Sequence, residues 1–191
     1  LEKPKTIPVL VGPQGTGKTV FARLLGEGIG GFIAVGNTEV ESQFNAYLTN
    51  PVVLLDELAS NQRESNHLKN KLKGLINETQ TINPKHRNPF SVDLNNYVVI
   101  ASNEAVHHVP LVIEKGDRRY TIITGGEDKD LAHEDWFDYN ALHGQLPAFM
   151  LHLLSRQIDE KKASTPYVNR KKLELTEMGE DLKVAYVREF M

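Results

Sequence analysis

The chain of 191 residues contains no cysteine. Disulfides, thiolate metal sites and cysteine nucleophiles are therefore excluded, and a bound metal ion would have to use oxygen or imidazole ligands. Long apolar runs are also missing. None approaches the ~20 residues that a membrane helix needs, and the first residues, Leu-Glu-Lys-Pro-Lys, lack the apolar stretch of a signal peptide. We therefore expect a cytoplasmic protein with no membrane partner.

Positive charge is not in excess. The chain has 22 Lys and Arg against 25 Asp and Glu, a formal net charge of −3, so contact with a nucleic acid would have to depend on a local basic patch. The hydrophobic share of 40% and the charged share of 25% are those of a folded globular chain. Because the chain begins with Leu a few residues before its first motif, we expect it to be a piece of a longer protein.

Short apolar runs rich in β-branched residues alternate with helical patterns along the chain. Such runs are typical of strands buried on both faces of a parallel sheet, and they predict strands at 7–11, 32–35, 51–57, 97–101 and 120–123. Between them, turn residues predict a turn or a protruding hairpin at 79–93. The alternation favours an α/β fold with three layers and a mostly parallel central sheet.

Helices are predicted from apolar residues that recur at helical spacing. They fall at 18–27, 41–48 and 65–76, and from Trp136 onward. We expect the first to be broken by the glycines that follow Leu25, namely Gly26, Gly28, Gly30 and Gly31. The pattern divides the chain into a P-loop core at 1–130 and a small C-terminal helical region at 131–191.

A phosphate-binding motif lies between the first predicted strand and helix. It matches G-x-x-x-x-G-K-[ST] with Gly12, Pro13, Gln14, Gly15, Thr16, Gly17, Lys18 and Thr19. Glycines let successive backbone N–H groups turn toward phosphate oxygens at the positive end of a helix. Lys18 is expected to neutralise the β- and γ-phosphates of ATP, and the Thr19 hydroxyl to bind Mg²⁺. The alternative is a glycine-rich turn that matches by chance.

Two carboxylates, Asp56 and Glu57, end the strand predicted at 51–57. Ligands bind at the carboxyl ends of strands in open α/β sheets, so Asp56 is expected to hold Mg²⁺ and Glu57 to activate the water that attacks the γ-phosphate. Asn103 follows another strand and could orient that water. The alternatives are an acidic pair that caps the next helix and an ordinary turn asparagine.

Five further segments accompany the phosphate-binding motif and the two carboxylates. In chain order they are Phe44-Asn45, Leu72-Lys73-Gly74-Leu75-Ile76, Thr81-Ile82-Asn83-Pro84-Lys85-His86, Ile100-Ala101-Ser102-Asn103-Glu104 and Asp117-Arg118-Arg119-Tyr120. Over residues 7–124 the combination resembles superfamily 3 helicases, most closely the helicase part of phage and poxvirus-type primase-helicases. The resemblance implies an AAA+-like P-loop ATPase of a viral or phage replication protein, a DNA helicase that uses ATP and Mg²⁺ in the host cytoplasm.

The resemblance also implies a ring-shaped homo-oligomer, a hexamer in this family, in which an arginine of one subunit completes the ATP site of the next. That role falls to Arg119 or Arg118, and the position of Arg119 directly before a strand favours it. A guanidinium supplied in trans stabilises charge on the phosphoryl group. The alternative is a surface ion pair of Asp117 with Arg118 and two solvated arginines. A primase or polymerase domain in the parent chain is a further implied partner.

Single-stranded DNA is the implied substrate, held in the ring channel by a Lys-His pair on a hairpin. Lys85 and His86 match that pair, and Arg87 lies beside them. Between residues 69 and 87 only Glu78 opposes five basic residues, a local formal charge of +4, the five being Lys69, Lys71, Lys73, Lys85 and Arg87. Positive charge of this kind suits phosphate contacts. The alternative is a solvated loop.

Other functions share part of this pattern. An AAA+ protein remodeller or clamp loader would have the ATP machinery without a DNA-binding hairpin, and a small-molecule kinase would transfer the phosphate to an acceptor. His133-Glu134-Asp135 with His143 could suggest metal ligands, but no three-ligand spacing recurs. A solvated helix start is the favoured interpretation of that segment.

Overall fold

The computed structural model describes residues 3–56, 71–77, 79–103, 113–125 and 138–178. Its centre is a parallel sheet of five strands in the order β2-β3-β6-β1-β7. The strands are β1 (Ile7–Val11), β2 (Phe32–Val35), β3 (Val52–Leu55), β6 (Tyr97–Ser102) and β7 (Tyr120–Thr124). All five predicted strands are confirmed, and the α/β fold with them. β1 lies between β6 and β7, with Val9 paired to Ile100 and to Ile122.

Apolar side chains cover both faces of the sheet, which explains the nearly continuous apolar character of its strands. On one face, alternate residues of β1, β3 and β6 pack against helix α1 (Lys18–Ile29), among them Leu10, Leu54 and Val99. The other face packs against Leu72, Leu75 and Ile82. The fold therefore has three layers, as expected.

Helix α1 runs through Gly26 and Gly28 to Ile29, two residues beyond the predicted end at Glu27, and Gly30, one of the predicted helix breakers, follows it in the left-handed conformation at φ 102°. Gly26 instead lets the helix approach β2. A Cβ atom built on Gly26 would lie 2.7 Å from the Cβ of Phe32 and 2.8 Å from the carbonyl oxygen of Gly31. The glycine thus serves close packing inside the helix rather than its termination.

The helix predicted at 41–48 is also wrong. Helix α2 spans Asn37–Glu41, and a separate 3₁₀ helix spans Ala46–Thr49. The Glu39 carboxylate accepts a hydrogen bond from the Gly36 backbone N–H and so caps the start of α2. Of the helix predicted at 65–76, only the last part lies within the described residues, where 71–74 (α3) are helical.

The predicted hairpin is confirmed. Strands β4 (Thr79–Ile82) and β5 (Phe90–Asp93) form an antiparallel pair in which Ile82 lies opposite Phe90. Ile82 is fully buried in the core below the sheet. Residues 85–91, which form the loop beyond Ile82 and the start of β5, are all exposed.

Within the described part of the chain, three helices follow the sheet: α4 (Tyr139–Ser155), α5 (Glu160–Ala163) and α6 (residues 170–178). The Tyr139 hydroxyl donates to Glu27 of α1 at 2.6 Å, and the Asn169 side chain donates to the carbonyl oxygen of Ile122 at 2.9 Å. The boundary at 130/131 lies outside the described residues and stays a prediction. None of the described helices is both long and apolar enough to cross a membrane.

Candidate nucleotide site and basic hairpin

The loop at residues 12–17 joins β1 to α1 and has the backbone of a phosphate cradle. Gly15 and Gly17 adopt left-handed conformations with φ of 85° and 82°, which side-chain-bearing residues rarely adopt. Gly17 is the N-cap of α1, and the first turn of that helix contains no acidic residue. The first N–H groups of α1 and its partial positive charge are therefore placed for an anion.

Gly12 is required for a different reason. A Cβ atom at this position would lie 2.5 Å from the backbone carbonyl oxygen of Gly125, which follows β7. The Gly12 N–H donates to the carbonyl oxygen of Ser102 at 3.3 Å, and the Gly125 N–H donates to Val11 at 3.4 Å. The start of the cradle is therefore fixed between the ends of the two strands that flank β1.

The Lys18 side chain folds over the loop. Its ammonium group donates to the carbonyl oxygens of Gly12 and Pro13 at 2.8 Å and 2.7 Å, and the Thr16 hydroxyl donates to Pro13 at 2.9 Å. Lys18 thus lies where a triphosphate held by the loop would meet it. The contacts with neutral carbonyls can be exchanged for stronger, charge-assisted contacts with phosphate oxygens.

Thr19 and Asp56 come together although 37 residues separate them. The Thr19 hydroxyl donates to a carboxylate oxygen of Asp56 at 3.3 Å. Thr19 lies in the first turn of α1, and Asp56 directly follows β3, its N–H donating to the carbonyl oxygen of Val35 at 2.9 Å. A hydroxyl and a carboxylate are the oxygen ligands that Mg²⁺ takes beside a bound phosphate, so this pair fits the expected metal site.

Asn103 follows β6, which lies between β3 and β1 in the sheet. The residue is exposed, at the edge from which the cradle and Asp56 also emerge. This is the position expected of a group that faces the γ-phosphate. Glu57 lies outside the described residues, and its role as base stays a prediction.

The metal site considered at 133–135 with His143 falls partly outside the described residues. His143, which is described, lies 3.6 Å from the Glu27 carboxylate and stacks on Tyr139. Across the part of the chain that the structure describes, no three histidine, aspartate or glutamate side chains are grouped as a metal site would require.

Arg119 and Arg118 lie at the amino end of β7. Because Ile7 pairs with Tyr120, and Val11 with Thr124, they are about five residues of strand, roughly 16 Å, from the edge that carries the cradle. Neither can reach the nucleotide site of its own chain without a large rearrangement. A role at a neighbouring subunit is compatible with this placement and stays a prediction.

The ion pair at this end of β7 is not the one considered from the sequence. Asp117 binds Arg119, not Arg118. Its carboxylate accepts from the backbone N–H and the Nε–H of Arg119 at 2.8 Å and 3.0 Å, and from a terminal nitrogen of the same guanidinium. The side chains are 1% exposed for Asp117 and 15% for Arg119, whereas Arg118 is exposed. The pair is therefore buried rather than solvated.

Lys172 of α6 completes this buried cluster. Its ammonium group donates to the carbonyl oxygens of Asp117 and Tyr120 at 2.9 Å and 2.6 Å. Burial alone would raise the pKa of Asp117, but the hydrogen bonds from Arg119 and the charges of Arg119 and Lys172 hold that pKa below its usual value. Burial lowers the pKa of Lys172 and raises the pKa of Tyr120 to about 12. No pattern in the sequence marks Lys172 as buried.

The tip of the hairpin presents Lys85, His86 and Arg87 to solvent, all three exposed. His86 adopts a left-handed backbone conformation with φ 63°, within a turn between Pro84 and Pro89. Non-glycine residues are uncommon there, although histidine is among the more tolerant ones. The tip thus carries a basic turn in a loop that begins directly after the buried Ile82.

Lys71 does not belong to the exposed basic surface that the sequence suggested. Its ammonium group donates to the carbonyl oxygens of Val40, Glu41 and Ser42, each at 2.8 Å, and so caps the C-terminal end of α2. Burial lowers the pKa of Lys71, with the Glu41 charge opposing that shift. Of the five basic residues counted from the sequence, Lys73, Lys85 and Arg87 are exposed, whereas Lys69 lies outside the described residues.

Comparisons with known proteins place this arrangement in a family. A model described as a family of unknown function, DUF5906, matches residues 10–119, the stretch that includes every residue of the candidate site and the hairpin. Apo structures of the NrS-1 C-terminal region are similar. Two of them give TM-scores of 0.80 and 0.78 at 28% and 26% identity, over 93% of this chain and 44% and 43% of theirs. This chain therefore spans less than half of their length. No curated protein matches it.

Proposed function

We propose that this chain, which belongs to the DUF5906 family, is the ATP-dependent motor domain of a DNA helicase from a viral or phage replication protein. In this proposal ATP is hydrolysed between the subunits of a ring, and the ring moves along single-stranded DNA. The observation that carries it is the 3.3 Å approach of the Thr19 hydroxyl to the Asp56 carboxylate beside the cradle, in a chain that also presents a basic hairpin tip.

The ATPase part of the proposal uses the residues at the carboxyl edge of the sheet. Backbone N–H groups of the cradle and Lys18 bind the triphosphate, while Thr19 and Asp56 hold Mg²⁺, which neutralises charge on the phosphate oxygens. Glu57 takes a proton from the attacking water, and Asn103 orients that water. The oxygen of the water bonds to the γ-phosphorus as the bond to the β–γ bridging oxygen breaks, giving ADP and phosphate.

ATP turnover measured with and without single-stranded DNA, together with the mass of the assembled species, tests this function. We expect stimulation by DNA and a nucleotide-dependent ring. Lys18→Ala should abolish turnover, whereas Lys161→Ala, which removes an exposed lysine of α5, should not. Turnover that ignores DNA would overturn the helicase assignment and favour the alternative, an AAA+ ATPase that acts on protein partners.

The hairpin is proposed to bind the DNA backbone through Lys85, His86 and Arg87. Each phosphate contact with a single strand contributes about 0.7 to the slope of log K against log salt. We therefore expect Lys85→Ala to weaken DNA binding and to reduce this slope by about 0.7, while basal ATP turnover is retained. An unchanged affinity and slope would remove Lys85 from the interface.

Two arginines are candidates for completing the neighbour's ATP site, and their environments differ. Arg119 is engaged by Asp117, whereas Arg118 is exposed at the same end of β7. A guanidinium that acts in trans must leave the surface of its own subunit, which favours Arg118 on the described geometry, against the preference drawn from the sequence.

Mixing inactive subunits tests whether an arginine acts in trans. Lys18→Ala subunits lack a working cradle, and Arg118→Ala subunits lack the arginine. An ATP site formed by the cradle of an Arg118→Ala subunit and the arginine of a Lys18→Ala subunit would be complete. We expect the mixture to regain part of its ATP turnover. An Arg118→Ala protein that hydrolyses ATP on its own, together with recovery in the mixture that uses Arg119→Ala, would assign the role to Arg119.

A further inference from the structure

Asn45 binds the start of the hairpin loop through three hydrogen bonds. Its side-chain amide donates to the carbonyl oxygen of Thr81 at 2.9 Å, and its side-chain oxygen accepts from the backbone N–H of Asn83 at 2.7 Å. The backbone N–H of Asn45 also donates to the carbonyl oxygen of Asn83 at 3.3 Å. One asparagine therefore occupies backbone groups on both sides of Ile82, at the point where β4 passes into the basic loop.

The position of these bonds matters because the loop that follows them is exposed. Ile82 is fully buried, but residues 85–91 are exposed. The direction in which Lys85 and His86 project is therefore set at Ile82 and Asn83. A side chain that fixes the backbone there acts on the whole loop, since a small rotation where the loop begins displaces its tip more.

Asn45 also lies at the end of a short segment that begins beside the candidate metal ligand. The N–H of Asp56 donates to the carbonyl oxygen of Val35, the residue before Gly36, which caps α2. At the other end of α2, the Lys71 ammonium group donates to the carbonyl oxygen of Glu41. Asn45 lies four residues after Glu41. The chain from Val35 to Asn45 thus runs from the nucleotide site to the hairpin.

We infer that Asn45 is a positioning residue that fixes the start of the hairpin loop and couples its basic tip to the nucleotide site through the α2 segment. The part of this inference that concerns DNA rests on the proposed function. The part that concerns the hairpin does not, because it follows from the three hydrogen bonds alone.

Hydrogen exchange of the full chain tests the structural part. In Asn45→Ala we expect the Asn83 amide to exchange roughly three- to tenfold faster, since a hydrogen bond of ordinary strength is lost. Amides of β6 should be unaffected. Asn83→Ala is the matched control because it keeps all three backbone atoms that Asn45 binds and removes a side-chain bond to the Gln43 carbonyl. Unchanged exchange at Asn83 in Asn45→Ala would overturn the inference.

ATP turnover tests the coupling part. We expect Asn45→Ala to keep basal turnover but to need roughly fivefold more single-stranded DNA for half-stimulation, with Asn83→Ala close to the unaltered protein. If Asn45→Ala fails to fold, Asn45→Asp keeps the oxygen that accepts from Asn83 and should retain part of the amide protection. Faster exchange with normal DNA stimulation would refute the coupling, whereas an unaltered protein that ignores DNA would refute the proposed function instead.

Discussion

The buried pair of Asp117 and Arg119 can be tested by replacing Asp117 with Asn. The substitution keeps the size of the side chain and one oxygen that can accept from the backbone and Nε–H groups of Arg119. It removes the negative charge and the second acceptor. The guanidinium, with its side chain 15% exposed, is then left largely buried without the carboxylate that binds it, although the charge of Glu114 still acts on it, while the bond from Lys172 to the Asp117 carbonyl remains.

The expected cost follows from this burial. Removing one partner of a buried ion pair typically costs about 3–5 kcal/mol, and the retained oxygen together with the partial exposure of Arg119 place this case near the lower limit, at about 3 kcal/mol. For a domain of this size that corresponds to a fall in Tm of about 6–12 °C. Equilibrium unfolding in urea at pH 7 measures the difference directly.

Asp159→Asn is the matched control. Asp159 pairs with Lys162 at 3.8 Å, but both side chains are largely exposed, at 54% and 87%. Asparagine can replace the aspartate as the N-cap of α5, where the carboxylate accepts from the Lys162 N–H at 3.0 Å. We therefore expect the free energy of unfolding to change by no more than about 0.5 kcal/mol.

The pH dependence separates charge from packing. The folded-state pKa of Asp117 is lowered, so the stability that its charge contributes is present above its unfolded-state pKa, about 3.9, and is lost as the pH falls through the folded-state value. The gap in the free energy of unfolding between the unaltered protein and Asp117→Asn should therefore narrow below about pH 4. A gap under about 0.5 kcal/mol at pH 7, or one that is the same at pH 3 and pH 7, would refute the reasoning.

Three further substitutions, one of them with a matched control, follow from close contacts in the fold. Gly26→Ala should destabilise the protein by about 1–2 kcal/mol through its clash with Phe32, whereas Gly144→Ala, in α4 with open space around it, should stabilise it by up to about 1 kcal/mol; urea unfolding measures both. Gly12→Ala should abolish ATP binding, measured by calorimetry, because its Cβ would displace the cradle. Lys71→Met should lower stability by about 1–2 kcal/mol and leave the salt dependence of DNA binding unchanged, an outcome that a phosphate contact by Lys71 would contradict.

The strands could be predicted from the sequence because each is a short apolar run buried on both faces. Such a run is readily assigned as a strand rather than a helix. Alternation within β3 then assigns Leu54 to one face and Leu55 to the other. Gly26 was misinterpreted for a physical reason. Helix propensity alone treats glycine as a breaker, but here its missing side chain permits a contact with β2 that only the tertiary structure reveals.

The contacts that fix the start of the hairpin loop and the amino end of β7 could not be predicted, because they join residues far apart in the chain. Lys172 and Asp117 are 55 residues apart, and Asn45 and Thr81 are 36 apart. For Asn45 the motif Phe44-Asn45 marked the residue without indicating a role. For Lys172 local sequence gives no signal, since a buried lysine resembles a solvated one until the acceptors around it are known.

The order of the strands explains why the candidate site could nevertheless be anticipated. Asp56 leaves the sheet from β3 and the cradle from β1, and β6 is inserted between these two strands with Asn103 at its end. All strands of this sheet are parallel, so each sends its following residues to the same edge. Residues that directly follow neighbouring strands therefore lie close together at that edge, however far apart they are in the sequence. Arg118 and Arg119 precede a strand instead, and the same rule places them at the opposite edge. Arg118 and Arg119 could therefore act in hydrolysis only from a second copy of the chain, and the subunit-mixing experiment decides whether either does.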